Sequence, residues 1–310
     1  MNDVAQHAIT LPHGITLQCR AAGRGAGRVV LLHGFPEGAF VWDEVMALLG
    51  DDARCVAPNL RGFAGSSAPA EVSAYRAKHL IADMAALIEK LGAPLDVLVA
   101  HDWGGAVAWG LAVQRPELIK QLVIINSPHP ATFLRELKDS PEQIAASGYM
   151  NWLCRPDAEE LLGENDFGRF WPFFANDAGV APAWLTEAVK RQYREVWSAG
   201  LTGGLNHYRA SPLRPALTAT DAVHSLVLAD EAVTVRVPTT VLWGEADRAL
   251  RTGLLDGLER WVPDLRIVRV PQASHWIVHE QPALVADTIR GRLSVQAAAA
   301  SAAGIKQPRP

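Results

Sequence analysis

The sequence predicts an α/β fold: a doubly wound, mostly parallel sheet flanked by helices and interrupted by a helical insertion. Three observations predict it. Short β-branched apolar runs alternate with longer amphipathic stretches, the rhythm of strands joined by crossover helices. That rhythm stops at about residue 131 and resumes at about residue 235. Several of the apolar runs end in polar residues, and in open α/β sheets the C-terminal strand ends are where ligands bind.

The elements follow in order. Apolar runs around Ile9 and at Ile15-Thr16-Leu17 flank the turn Pro12-His13-Gly14 and predict an antiparallel hairpin at a sheet edge. Val29–Leu32, Ala53–Pro58, Val97–Ala100, Leu122–Ile125, Thr239–Trp243 and Leu265–Val270 lack strict alternation, as strands covered on both faces do. Ala77–Leu91 and Gly104–Gln114 are helical in pattern. Residues 131–234 are rich in helix formers and carry Trp152, Trp171, Trp184 and Trp197. They read as a helical cap on a core made of 1–130 and 235–296. The tail 297–310, AAAASAAGIKQPRP, has low complexity and is expected to fray.

Composition narrows the function classes. Of 310 residues, 49% are hydrophobic, enough for a sizeable core. A net charge of -4 gives no reason to expect nucleic acid or an anionic membrane as partner. Cys19, Cys55 and Cys154 are too few and too scattered for a disulfide framework or a metal site. With no glycine-rich phosphate loop and no metal-ligand cluster, no cofactor is expected. MNDVAQHAITLPHG lacks a basic start followed by an apolar run, and no stretch approaches the roughly 18 apolar residues of a membrane span. These features suggest a soluble cytoplasmic protein, as a monomer or homodimer.

Three strand ends carry candidate chemistry. Val97–Ala100 runs into His101-Asp102-Trp103-Gly104-Gly105 and then a helix. Ala100 and Gly104 give Asp102 small neighbours two residues away, as a tight strand-to-helix turn requires. Such a turn presents the central side chain over the sheet edge, beside a helix N-terminus that favours negative charge. The alternative is that Asp102 merely caps the helix. Asp247, in Trp243-Gly244-Glu245-Ala246-Asp247, follows one strand, and His275, in Ala273-Ser274-His275-Trp276, follows the last. Alone, each reads as a loop residue. In this order, at strand ends that can converge, they read as nucleophile, acid and base. The loop His33-Gly34-Phe35-Pro36-Glu37 closes the first buried strand and can bring a backbone N–H beside that of Trp103, forming an oxyanion hole.

Together the runs HGFPEGAFVW, HDWGG, GEAD and ASHWIVHEQP resemble the epoxide hydrolase branch of the α/β-hydrolases over roughly Gly14 to Leu293. Haloalkane and haloacetate dehalogenases are close relatives of that branch. The resemblance implies that Asp102 is the nucleophile, Asp247 the charge-relay acid and His275 the water-activating base. It gives Phe35 and Trp103 the oxyanion-hole N–H groups. Tyr149 and Tyr208 match the two lid tyrosines that hold and protonate the epoxide oxygen. With only four tyrosines in the chain, two at these positions favour that role over lid packing. Tyr75 and Tyr193 match no such position and read as structural. The turn Asn59-Leu60-Arg61-Gly62 begins with Asn where the family often has Asp, and Ala64 stands where Gly is common.

An aspartic acid ionises near pH 3.9, so its carboxylate needs no base before it attacks saturated carbon. The implied product is an alkyl ester that water then cleaves with help from His275. Phe35 stands where many haloalkane dehalogenases use Asn. Trp103, Ala106 and Tyr149 stand where haloacetate dehalogenases use Arg, Arg and His. The expected substrate is an apolar or aromatic epoxide, with water as co-substrate and Trp42 and Trp152 as pocket walls. Dehalogenation by the same aspartate, and ligand binding without catalysis, are the competing readings.

Overall fold

A computed structural model describes residues 4–304. Eight strands form one sheet in the order β1-β2-β4-β3-β5-β6-β7-β8. They are β1 (Ala5–Thr10), β2 (Thr16–Ala22), β3 (Gly27–Leu32), β4 (Ala53–Pro58), β5 (Val97–His101), β6 (Leu122–Ile125), β7 (Thr239–Gly244) and β8 (Leu265–Val270). β1 and β2 form the expected antiparallel hairpin, and β2 also runs antiparallel to β4. All pairs from β4 through β8 are parallel. β5 and β6, at the sheet centre, are wholly buried, which is why Val97–Ala100 and Leu122–Ile125 are unbroken apolar runs. β8 closes the sheet and is only partly buried, and Arg266 and Arg269 take the exposed positions of this edge strand.

The core helices are α1 (Asp43–Leu48), α2 (Ala77–Leu91) and α3 (Asp102–Gln114). Gly92, with φ 91°, follows α2 in the left-handed region and ends it. Between β6 and β7 come α4 (Pro130–Asp139), α5 (Pro141–Ala146), α6 (Tyr149–Leu153), α7 (Ala158–Phe167), α8 (Trp171–Phe174), α9 (Glu187–Ser198), α10 (Thr202–Ala210) and α11 (Ala222–Ser225). Pro141 opens α5 behind Ser140, whose hydroxyl caps Gln143 N–H. This segment shares one hydrophobic cluster with the sheet domain, through Leu153, Phe170 and Trp197.

The chain closes with α12 (Ile277–Glu280) and α13 (Pro282–Gly304). His279 and Glu280 therefore belong to a short helix of their own and not to the start of the last one. α13 continues through residues 297–304, part of the stretch expected to fray, because alanine is the strongest helix former. Residues 305–310 lie outside the described residues. Among the described residues no helix is long and apolar enough to cross a membrane.

Candidate active site

Asp102 sits where β5 turns into α3, with φ 48°. A left-handed backbone costs a non-glycine residue about 1–3 kcal/mol and persists only where surrounding contacts hold it. One such contact is the Ser127 hydroxyl, which donates to Asp102 O at 2.7 Å. The turn also needs Gly104, where a Cβ would stand 2.6 Å from Leu32 O. The Asp102 carboxylate does not cap α3. The helix has no side-chain cap, and Asp102 Oδ1 instead accepts the Phe35 N–H at 2.8 Å. Trp103 is the second residue of α3, and helix first-turn N–H groups lack intrahelical partners.

The carboxylate of Asp247, after β7, is fully buried and saturated with donors. Oδ1 accepts from Ala249 N–H at 2.8 Å and Leu250 N–H at 2.9 Å. Oδ2 accepts from Asn126 Nδ2 at 2.8 Å and from His275 Nδ1 at 2.7 Å. Burial opposes its charge, but the adjacent His275 and these hydrogen bonds hold its pKa below the usual value. Because a carboxylate only accepts, His275 carries its proton on Nδ1 and turns Nε2 toward Asp102, 3.8 Å from Oδ2. Burial pulls the His275 pKa down. Asp247 first, then Asp102 and Glu37, outweigh it and bring the pKa to about 9.

Tyr149, from α6, and Tyr208, from α10, face this group across a cavity of about 570 Å³. Phe35, Asp102, Asp247, His275 and both tyrosines line it. The two phenol rings meet edge to face at 6.1 Å, and Tyr208 packs likewise on Trp103 at 4.9 Å. Burial first, then the Asp102 charge among others, raises both phenol pKa values, so each keeps its proton at neutral pH.

The two pocket walls expected from sequence do not line this cavity. Trp42 is fully buried in a short turn, Ala39–Trp42, all of whose residues face the core interior. Trp152 shares α6 with Tyr149 but packs half-buried on the hydrophobic cluster. The aromatic walls are Phe173, Phe174 and Trp276 instead. Trp276 is adjacent to His275 and could have been found by that proximity, whereas nothing in the sequence marks Phe173 and Phe174.

Sequence also missed Asn126, which follows β6 with φ 37°. It donates to Asp247 and to Gly244 O and accepts Gly244 N–H, locking the two strand ends together. Its one signal is a polar residue directly after a buried strand.

The other histidines support the loops. His33 Nε2 accepts Leu60 N–H at 3.0 Å. His101 spans Glu37 Oε2 at 2.9 Å and the His275 carbonyl at 3.0 Å. His129 caps α4 and bonds Val233 O, tying together the two ends of the insertion, and lies off the cavity lining. Tyr75 donates to Pro69 O, and Tyr193 to buried Glu37.

The α/β hydrolase fold family matches residues 27–282, and the chain belongs to that family. It is 37% identical over 278 residues to the AB hydrolase superfamily protein YfhM of Bacillus subtilis (strain 168), covering 88% of this chain and 92% of that one. It is 33% identical over 280 residues to epoxide hydrolase 4 of Mus musculus, covering 88% and 74%. A solved Bacillus megaterium epoxide hydrolase, in complex with an inhibitor, superposes with a TM-score of 0.84 at 30% identity. That match covers 93% of this chain and all of the other.

Proposed function

We propose that this protein hydrolyses epoxides to vicinal diols through a covalent ester on Asp102. The observation that carries the reading is one cavity with a carboxylate on its floor and two protonated phenols opposite. The resemblance to epoxide hydrolases supports the same substrate class.

Asp102 Oδ2 attacks an epoxide carbon, because Oδ1 is held by Phe35 N–H. The carbon–oxygen bond breaks, and the leaving oxygen takes a proton from Tyr149 or Tyr208. Water then attacks the ester carbonyl carbon of Asp102 and gives a proton to His275, whose imidazolium Asp247 stabilises. The developing oxyanion on Oδ1 is held by the N–H groups of Phe35 and Trp103. Collapse releases the diol and restores the carboxylate, and the His275 proton is returned to the phenolate.

Ester formation also prepares the base. It neutralises Asp102, one of the charges that raises the His275 pKa. His275 therefore becomes easier to deprotonate at the step that needs it neutral.

Residues 131–234 act as the cap, supplying the phenols while the sheet domain supplies the nucleophile and base. The cavity's aromatic walls suit an apolar or aromatic epoxide. The test is a parallel panel of epoxides, haloalkanes and haloacetates, followed by diol formation and halide release. Diol without halide is the expected result. Halide release without diol would replace this reading with dehalogenation by the same aspartate. No turnover, with ligand bound and recovered intact, would replace it with a binding function.

A further inference from the structure

We propose that Gln143 is a positioning residue that sets Tyr149 in register with the Asp247–His275 pair. The proposal rests on the reading of Tyr149 as a phenol acting on the epoxide oxygen. Among the described hydrogen bonds, residues 141–153 reach the sheet domain through one side chain only, that of Gln143. Its amide nitrogen donates to Ala249 O at 2.8 Å, and its amide oxygen accepts Arg251 N–H at 2.9 Å. The same nitrogen donates to Ser147 Oγ at 2.8 Å, two residues before Tyr149. α6 itself bonds only within the insertion, through Asn151 to Pro215 O.

Gln143 is fully buried. A carboxamide is a costly group to bury, and it is tolerated here because both of its ends are paired. An apolar side chain would pack as well without fixing where α5 meets the core. Ala249 is the shared element: its carbonyl accepts from Gln143 while its N–H donates to Asp247. A continuous path therefore runs from Tyr149 through Ser147, Gln143 and Ala249 to Asp247 and His275. The two ends depend on it unequally. Asp247 keeps Leu250, Asn126 and His275 as partners without Gln143. Tyr149 loses its one hydrogen-bonded anchor to the core. Loss of Gln143 should thus slow ring opening, where Tyr149 acts, and spare ester hydrolysis, where Asp247 and His275 act.

The test uses the full chain and an epoxide that it turns over, with single-turnover rates of ester formation and decay followed by quenched flow and intact mass. Gln143→Met keeps the bulk and removes the bonds. It should slow ester formation about 10²-fold, the scale expected for a group misplaced by about 1 Å, and leave ester decay within about twofold. Equal slowing of both steps, or of neither, overturns the proposal. Gln143→Glu adds a readout that a purely structural role would not move. Its protonated carboxyl can donate to Ala249 O and accept Arg251 N–H, whereas its carboxylate cannot donate. Ester formation relative to wild type at the same pH should recover as pH falls, and a pH-independent ratio overturns the proposal. That ratio decides alone should Gln143→Met fail to fold. Tyr149→Phe separates the two ideas. Wild-type ester formation in Tyr149→Phe overturns the Tyr149 reading and the proposal with it. Slow Tyr149→Phe beside fast Gln143→Met overturns the proposal alone.

Discussion

In the sheet domain Asp102, Asp247 and His275 follow the ends of β5, β7 and β8, and backbone groups do much of the holding. Phe35, Ala249 and Leu250 N–H bond the two carboxylates, and Asn126 ties β6 to the Asp247 loop. In the insertion Tyr149 and Tyr208 stand on helices of 5 and 9 residues, reached by few bonds from below. α10 is the better seated of the two. His207 Nε2 donates to Arg61 O at 3.0 Å, and Gly203 lies so close to Gly62 that a Cβ there would stand 2.3 Å from its backbone. Strand register fixes the core groups as a set, whereas each phenol of the insertion depends on one or two local contacts with the sheet domain. Damage should therefore be all-or-none below the cavity and graded above it.

The largest expected effect is in the core. Asp102→Ala should lower diol formation by about 10⁴-fold or more, as loss of a covalent nucleophile does, with folding intact by circular dichroism. Substantial residual turnover would move the nucleophile elsewhere. Above the cavity, the double change Tyr149→Phe with Tyr208→Phe should cost about 10²–10⁴-fold, the range for a general acid. Undiminished diol formation would sink the lid assignment.

Gly203→Ala sharpens the contrast further, because it touches only the seat of α10. Overpacking of this kind costs about 1–3 kcal/mol, read as a lower Tm, and ring opening should slow while ester decay does not. Unchanged ring opening would mean that Tyr208 tolerates a displaced helix. The smallest effect concerns pH. The His275 pKa is raised to about 9 by charges that include Asp102. The ester lacks that charge, so ester decay should hold its plateau to a pH below 9 and then fall as His275 protonates. A decay profile that turns at the same pH as His275 in the free protein would contradict the proposed coupling.

Legibility in the sequence follows the same division. Strands buried on both faces must be unbroken apolar runs, so β6 was readable to its terminal residues, and α2 likewise from its periodicity. Tight turns demand small residues, so Ala100 and Gly104 marked Asp102. The pocket walls were less legible. Trp42 faces the interior because its whole turn does, and Trp152 packs half-buried on the hydrophobic cluster, directions that residue type does not encode. Gln143 and Asn126 were missed because each acts on a partner more than 100 residues away in the chain, which no local pattern records. The alanine-rich stretch 297–304 continues α13, in keeping with the helix propensity of alanine.

The proposed reaction stands or falls with the covalent ester on Asp102. Its most direct test is the intact mass of His275→Ala after mixing with an epoxide that the wild-type protein converts to diol. The protein mass should rise by one epoxide molecule, mapping to the peptide that contains Asp102 and persisting because water is no longer activated. An unmodified His275→Ala protein, under conditions where wild type turns over, would contradict it.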